Sequence, residues 1–154
     1  MIRVKALTIY PIKGMEGTLV SSSKVLERGF EHDRRYMLID ASNTFISQRT
    51  HPQLVHLKPK INGDQLKITY QDEELTFSMI DNLGNRIITN LFEHKVQATE
   101  VSLIVNKWFT DILGERVRLV KMLDNDIRYK KLVKGPDQVE VSFADGYPYL
   151  VLGD

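Results

Sequence analysis

Apolar and polar positions change rhythm several times along the chain, and each change marks an element. Residues 2–10 and 19–26 are rich in Val, Ile, Leu and Thr with partial alternation, and Pro11, Gly14 and Gly17 lie between them. Two strands joined by a stiff loop are predicted. Residues 36–39 and 45–47 flank Asp40, Ala41, Ser42 and Asn43, whose short polar side chains bond to nearby backbone and favour a turn, so a hairpin is predicted there. Asn62-Gly63-Asp64 separates 54–61 from 66–70, and Asn and Gly tolerate the positive φ of a tight hairpin. Leu83-Gly84-Asn85 has the same character between 75–80 and 86–88. Pro59 cannot donate to a ladder, which places its stretch on an edge or at a bulge.

One segment has a helical period. Val101, Ile104, Val105, Trp108, Phe109 and Ile112 fall at offsets of three and four, with Ser102, Asn106, Lys107, Thr110 and Asp111 between them. An amphipathic helix over about 100–113 is predicted, with Thr99 as N-cap, Glu100 at the positive end of the dipole and Gly114 ending it in the left-handed conformation. Residues 117–122 read as another strand. From 123 to 137 the chain is charged and weakly patterned and closes on Gly135-Pro136-Asp137, so a loop or linker is expected. Residues 139–143 and 148–152 are apolar again, and the second run is expected to pack poorly and expose apolar surface. Short strands with frequent turns indicate a mainly β fold, an antiparallel barrel-like domain carrying one helix.

Length and composition narrow the function classes. A chain of 154 residues with 42% hydrophobic and 27% charged content has the makings of an ordinary globular core. The formal charge of +1 supplies no large field for nucleic acid or anionic membranes, so neither is expected as a partner, and any anion site must be local. There is no cysteine, which excludes disulfides, zinc-thiolate and iron–sulfur ligation and a cysteine nucleophile within these residues. The N-terminus lacks the continuous apolar stretch of a signal peptide, and the apolar runs are too short to span a bilayer; a cytoplasmic location is the expectation.

Three basic loops carry the candidate chemistry. Tyr10-Pro11-Ile12-Lys13-Gly14 sets a lysine between a fixed and a permissive backbone position. Asp33-Arg34-Arg35-Tyr36 puts two guanidinium forks at the mouth of a strand, with alternation sending them to opposite sides. Gln48-Arg49-Thr50-His51-Pro52 adds a third cation. The residues alone favour the plain alternative for each, a solvated lysine and surface ion pairs with Asp33 or Glu31. The four histidines lack metal-ligand spacing, so no metal site is expected, and no nucleophile elbow or phosphate-binding glycine loop occurs.

Taken in order, Tyr10-Pro11-Ile12-Lys13-Gly14, then residues 33–38 and 48–54, the late helix, and Phe143-Ala144-Asp145-Gly146-Tyr147-Pro148 together resemble the N-terminal β-barrel domain that precedes MOSC domains. The resemblance implies a domain over 1–138, with 139–154 as the start of a truncated MOSC domain. It implies a molybdenum cofactor (molybdopterin) in the full-length protein, whose phosphate or pterin would be contacted by Lys13 and Arg34 with Arg49 in support. Asp33 would orient Arg34. Well-known relatives resemble the mitochondrial amidoxime-reducing component, so an oxidoreductase reducing N-hydroxylated compounds is the family expectation, and pyridoxal phosphate binding goes with the same resemblance. Expected partners are the downstream MOSC domain, which would supply the metal-ligating cysteine, and an electron-transfer protein. Without that cysteine this chain alone would be inactive. The alternatives are a small-anion-binding module without enzymatic activity and a purely structural β module.

Overall fold

The computed structural model describes residues 3–80, 84–131 and 138–153. In chain order the elements are β1 (Thr8–Ile9), β2 (Thr18–Leu19), β3 (Val25–Leu26), β4 (Gly29–Phe30), β5 (Tyr36–Ile39), β6 (Lys58–Asn62), β7 (Gln65–Tyr70), β8 (Glu73–Ser78), β9 (Arg86–Leu91), β10 (His94–Glu100), α1 (Leu103–Leu113), β11 (Arg118–Lys121), β12 (Tyr129–Lys131) and β13 (Gln138–Glu140). Every strand pairing among the described residues is antiparallel. β5-β11-β10-β9 form one sheet and β6-β7-β8 another, while β1-β2, β3-β4 and β12-β13 are two-stranded ribbons. The fold is mainly β and barrel-like, with one α-helix among the described residues.

The side-chain period of two explains how these pieces share a centre. β5 is buried at all four positions. Tyr36 and Leu38 point into one cluster with Leu119, Leu66, Ile68, Val105 and Phe109, whereas Met37 and Ile39 point into a second with Val120, Leu91, Val96 and Phe143. One face of β5 and β11 is thus covered by the helix and the β6–β8 sheet. The other is closed by β9 and β10 and by Phe143 of the late segment.

Turn chemistry acts as the sequence predicts at two hairpins. Asp40 Oδ1 accepts from Ser42 N (2.8 Å) and Thr44 N (2.9 Å), Asn43 has φ 63°, and Ile39 pairs with Phe45 beyond. Asn62 pairs with Gln65 around Gly63 (φ 57°), and Pro59 lies on β6, the edge of its sheet.

Elsewhere the structure corrects the sequence reading. The strand expected over 2–10 shrinks to Thr8–Ile9, because only those residues find a partner in β2, and residues 3–6 are exposed; residues 1–2 lie outside the described part. The one over 19–26 is broken, with no strand at 20–24. Residues 54–56 of the stretch read as strand belong instead to a 3-10 turn, Pro52–His56, set by Pro52 at its start. No hairpin joins β8 to β9 around Gly84: the two strands belong to different sheets, and β9 turns into β10 at Phe92 (φ 56°); residues 81–83 are outside the described part.

The helix begins at Leu103, not near 100, and its N-cap is Ser102, whose side chain accepts from Val105 N (3.2 Å), not Thr99. Thr99 still belongs to β10, paired with Lys121. Gly114 ends the helix with φ 73°, a left-handed value that costs glycine little. The buried face is Val101, Val105 and Phe109, with Trp108 and Ile112 half-buried against it, while Ile104 is exposed. Asn106 is buried in its place: Oδ1 accepts from Leu119 N (2.9 Å) and Nδ2 donates to Glu100 Oε1 (2.5 Å), tying the helix to the strands on either side of it in sequence.

The loop expected over 123–137 contains β12, and its first part is clamped. Arg28 donates to the carbonyls of Leu123 (3.2 Å), Asp124 (2.8 Å) and Asp126 (2.9 Å), and Arg86 forks onto the Asp126 carboxylate. Gly135-Pro136-Asp137 falls outside the described residues. Residues 150–153 form no element, and Leu150, Val151 and Leu152 are exposed, as expected for the last apolar run. No helix among the described residues is long and apolar enough to cross a membrane.

Candidate functional site

Lys13, Arg34 and Arg49 line one cleft of about 590 Å³. Three different loops bring them there, and each is fixed by backbone bonds made close to the cation. Ile12 is fully buried and bridges to Tyr36, with Lys13 N donating to Tyr36 O (2.8 Å), so the next side chain along leaves the core for the cleft. The Lys13 ammonium lies 5.5 Å from the centroids of both Phe45 and Phe92, which also line the cleft, and donates to Asp145 Oδ1. It is no solvated lysine. Burial pushes its pKa down from 10.5, the bond to Asp145 opposes the drop, and the neighbouring Arg128 and Arg34 reinforce it.

Arg34 follows the β4 turn with φ 48°. A non-glycine residue held there costs on the order of 1 kcal/mol. The conformation is pinned on both sides, Arg34 N donating to Tyr10 O (2.6 Å) and Phe143 N to Arg34 O (3.0 Å). The guanidinium lies 5.3 Å from the Tyr10 ring centroid and donates to Asp33 Oδ2. Asp33 is buried and also accepts from Tyr10 N (2.7 Å). Burial raises its pKa, and Arg34 and the Tyr10 amide pull the other way. Arg35 turns to the opposite side, buried, donating to Met122 O (2.9 Å) and to Asp124 (2.8 Å). The adjacent arginines therefore divide between cleft and scaffold, but the left-handed turn at Arg34 separates them, not the alternation of a strand.

Arg49 sits on the lip, exposed, in the turn closed by Thr50 N donating to Ser47 O (3.0 Å). It makes no ion pair among the described residues. Gln48 Nε2 donates to Gly14 O (2.8 Å), which ties this turn to the Lys13 loop.

The far wall is built from residues within 144–150, a stretch that the sequence offered as a motif but to which it assigned no site residue. Arg128, buried, donates through one guanidinium nitrogen to the carbonyls of Ser142 and Ala144 (both 2.8 Å), and Lys130 donates to the Asp145 carbonyl. Tyr149 packs edge-on against Phe30 (4.9 Å between centroids) and donates to Leu26 O. Gly29 (φ 119°) lets the wall approach, since a Cβ there would stand 2.8 Å from Pro148 O. Asp145 lay within a stretch legible as a motif, but its pairing with Lys13 spans 132 positions and leaves no local signal. Arg128 lay in the supposed linker and had none at all.

The donor set suits an anion. Two guanidinium groups and one ammonium face a cleft whose lining includes a single carboxylate, that of Asp145. Guanidinium forks and an ammonium match phosphate oxygens. No group of three His, Cys, Asp or Glu among the described residues could hold a metal ion, and the chain contains no thiolate.

Among proteins similar to this chain is the Drosophila mojavensis molybdenum cofactor sulfurase, 23% identical over 159 residues that cover 97% of this chain and 20% of that protein. The human molybdenum cofactor sulfurase is 25% identical over 146 residues, covering 92% of this chain and 16% of that protein. The chain thus spans about a fifth or less of the length of these relatives. A Bordetella bronchiseptica protein of known solution structure superimposes with a TM-score of 0.52 at 12% identity, covering 70% of this chain and 92% of that one, a likeness of fold alone. Residues 1–116 match the MOSC N-terminal beta barrel domain, and the chain belongs to that family.

Proposed function

We propose that the cleft binds the phosphate-bearing part of a molybdenum cofactor, so that this chain forms one wall of the cofactor site in a longer protein. The observation that carries the reading is the meeting of Lys13, Arg34 and Arg49 in one aromatic-walled cleft, with Lys13 desolvated there. In the free chain Asp145 pairs with Lys13 and Asp33 with Arg34, and an anion in the cleft would bridge both of these cations and Arg49 at once. That relatives are named molybdenum cofactor sulfurases supports the cofactor assignment.

In this reading Lys13 and Arg34 hold phosphate or pterin oxygens, Arg49 closes over the lip, and Asp33 keeps the Arg34 fork in position. A downstream MOSC domain, of which residues 139–154 are the beginning, supplies the thiolate that holds the metal. The cofactor, when bound, supplies the redox chemistry. Reduction of N-hydroxylated compounds, with an electron-transfer partner, is one activity for the parent protein and rests on the family resemblance. The relatives, which are molybdenum cofactor sulfurases, favour a second, a role in handling the cofactor's sulfur.

The test is titration of the chain with protein-free molybdopterin, with pyridoxal phosphate and inorganic phosphate as competitors for the same cations. Lys13→Met and Arg49→Ala should each weaken molybdopterin binding about tenfold or more, the scale of a lost charge-assisted hydrogen bond. Affinity unchanged from the original chain in both variants would remove the reading and leave a structural β module.

A further inference from the structure

The Lys13–Asp145 pair is asymmetric in a way that bears on ligand entry. The lysine side chain is 10% exposed, whereas the aspartate side chain is 72% exposed. One partner is fixed by burial and by two aromatic rings, and the other stands in water. The backbone beneath Asp145 is anchored separately: Arg128 holds the carbonyls of Ser142 and Ala144, and Lys130 bonds to the carbonyl of Asp145 itself. A swing of the carboxylate about its own side-chain bonds therefore needs no movement of the wall. Lys130, already at the Asp145 carbonyl and not part of the cleft lining, offers the released carboxylate a cation outside.

We propose that Asp145 is a displaceable internal counter-ion which occupies Lys13 until an anionic ligand takes its place, and so sets the affinity of the cleft. This rests on the reading of the cleft as an anion site. A tethered carboxylate competes at an effective concentration in the millimolar range, so a ligand contacting Lys13 must displace it and binds more weakly than the three cations alone would allow. The same contact gives the buried ammonium a partner in the free protein, where it would otherwise be desolvated and unpaired. Asp145 thus serves folding when the cleft holds no ligand and opposes binding when one arrives.

Inorganic phosphate titrated into the chain and followed by phosphorus NMR tests this. Asp145→Asn should tighten phosphate binding about tenfold, and Asp145→Ala, which leaves no amide in its place, should do the same. Loss of a nearby negative charge would tighten binding through the general field as well, so the variants are repeated in a Lys13→Met background. Displacement requires the gain to vanish there. A gain of equal size in both backgrounds, or none in the original one, overturns the proposal while the anion cleft stands. If phosphate binds neither the original chain nor the Asp145 variants, the anion-site reading itself falls, and this inference falls with it.

Discussion

The helix side of the molecule and the cleft side are held together by different forces. Phe109, Val105, Leu54, Leu66 and Ile68 meet in a cluster that excludes water almost completely. Its cohesion comes from apolar area and close packing. Outside that cluster, Arg28, Arg35, Arg86 and Arg128 instead hold carbonyls and carboxylates of loops that have little regular structure of their own, Arg128 doing so behind the cleft wall. Arg35 and Arg128 are buried in doing so, and two nitrogens of Arg128 find no hydrogen-bond partner among the described residues. Apolar packing suffices where sheets and a helix can be stacked. A concave site made of loops needs directional bonds to fix each loop, and it accepts imperfectly satisfied charges to obtain them.

The sharpest way to break this contrast is to empty the helix side. Phe109→Ala should cost about 3–5 kcal/mol in chemical denaturation, as for other large aromatic truncations in cores. A loss below about 1 kcal/mol would mean that the helix is not seated on the core. On the cleft side, Arg128→Met replaces a buried cation by an apolar chain of similar length. The carbonyls of Ser142 and Ala144 then lose their donor at about 1–3 kcal/mol each at most, partly offset by relief of the buried charge. The expected signature is local: faster amide exchange around 142–145 with a smaller change in global unfolding. Equal loss across the whole molecule would erase the distinction between the two sides.

Titration sharpens it further. Because burial holds the Lys13 pKa below 10.5, the folded protein releases this proton at lower pH than the unfolded chain does. The Lys13 contribution to stability therefore grows as pH rises through the folded value and is complete above 10.5. Anion affinity runs the other way. Phosphate binding should weaken several-fold as pH climbs through the same range, since the arginines keep their charge while Lys13 loses its own. A flat profile up to 10.5 would show that Lys13 does not contact the anion. The smallest effect belongs to Ile104, which is 79% exposed: Ile104→Ala should change stability by no more than about 0.5 kcal/mol. A larger loss would place Ile104 in a contact that its exposure denies.

Wherever the cause was local, the sequence carried the result. The turn at Asp40–Asn43, the hairpin at Gly63, the edge position of Pro59 and the helix stop at Gly114 each follow from the chemistry of a few neighbouring residues, and they were legible without coordinates. The helix itself was legible from its period, but its start and one position of its face were not. Ser102 and Thr99 are equally suited to cap a helix; β10 claims Thr99 by pairing it with Lys121, and the choice is then made. Ile104 fits the period as well as Val105 does, yet the core lies on the side that Asn106 shares, because Asn106 bonds to Leu119 N across to β11.

The cleft divides along the same line. Lys13, Arg34 and Arg49 could be named as cations in loops, and the expected split of Arg34 from Arg35 holds although a left-handed turn, not a strand, produces it. What brings the three to one cleft, and what adds Asp145 and Arg128, is decided by contacts such as Lys13–Asp145 and Arg34–Phe143, which join residues more than a hundred positions apart. Local propensity acts over a turn or two of chain, whereas burial and charge pairing act over space, and only the folded chain fixes which distant loops become neighbours.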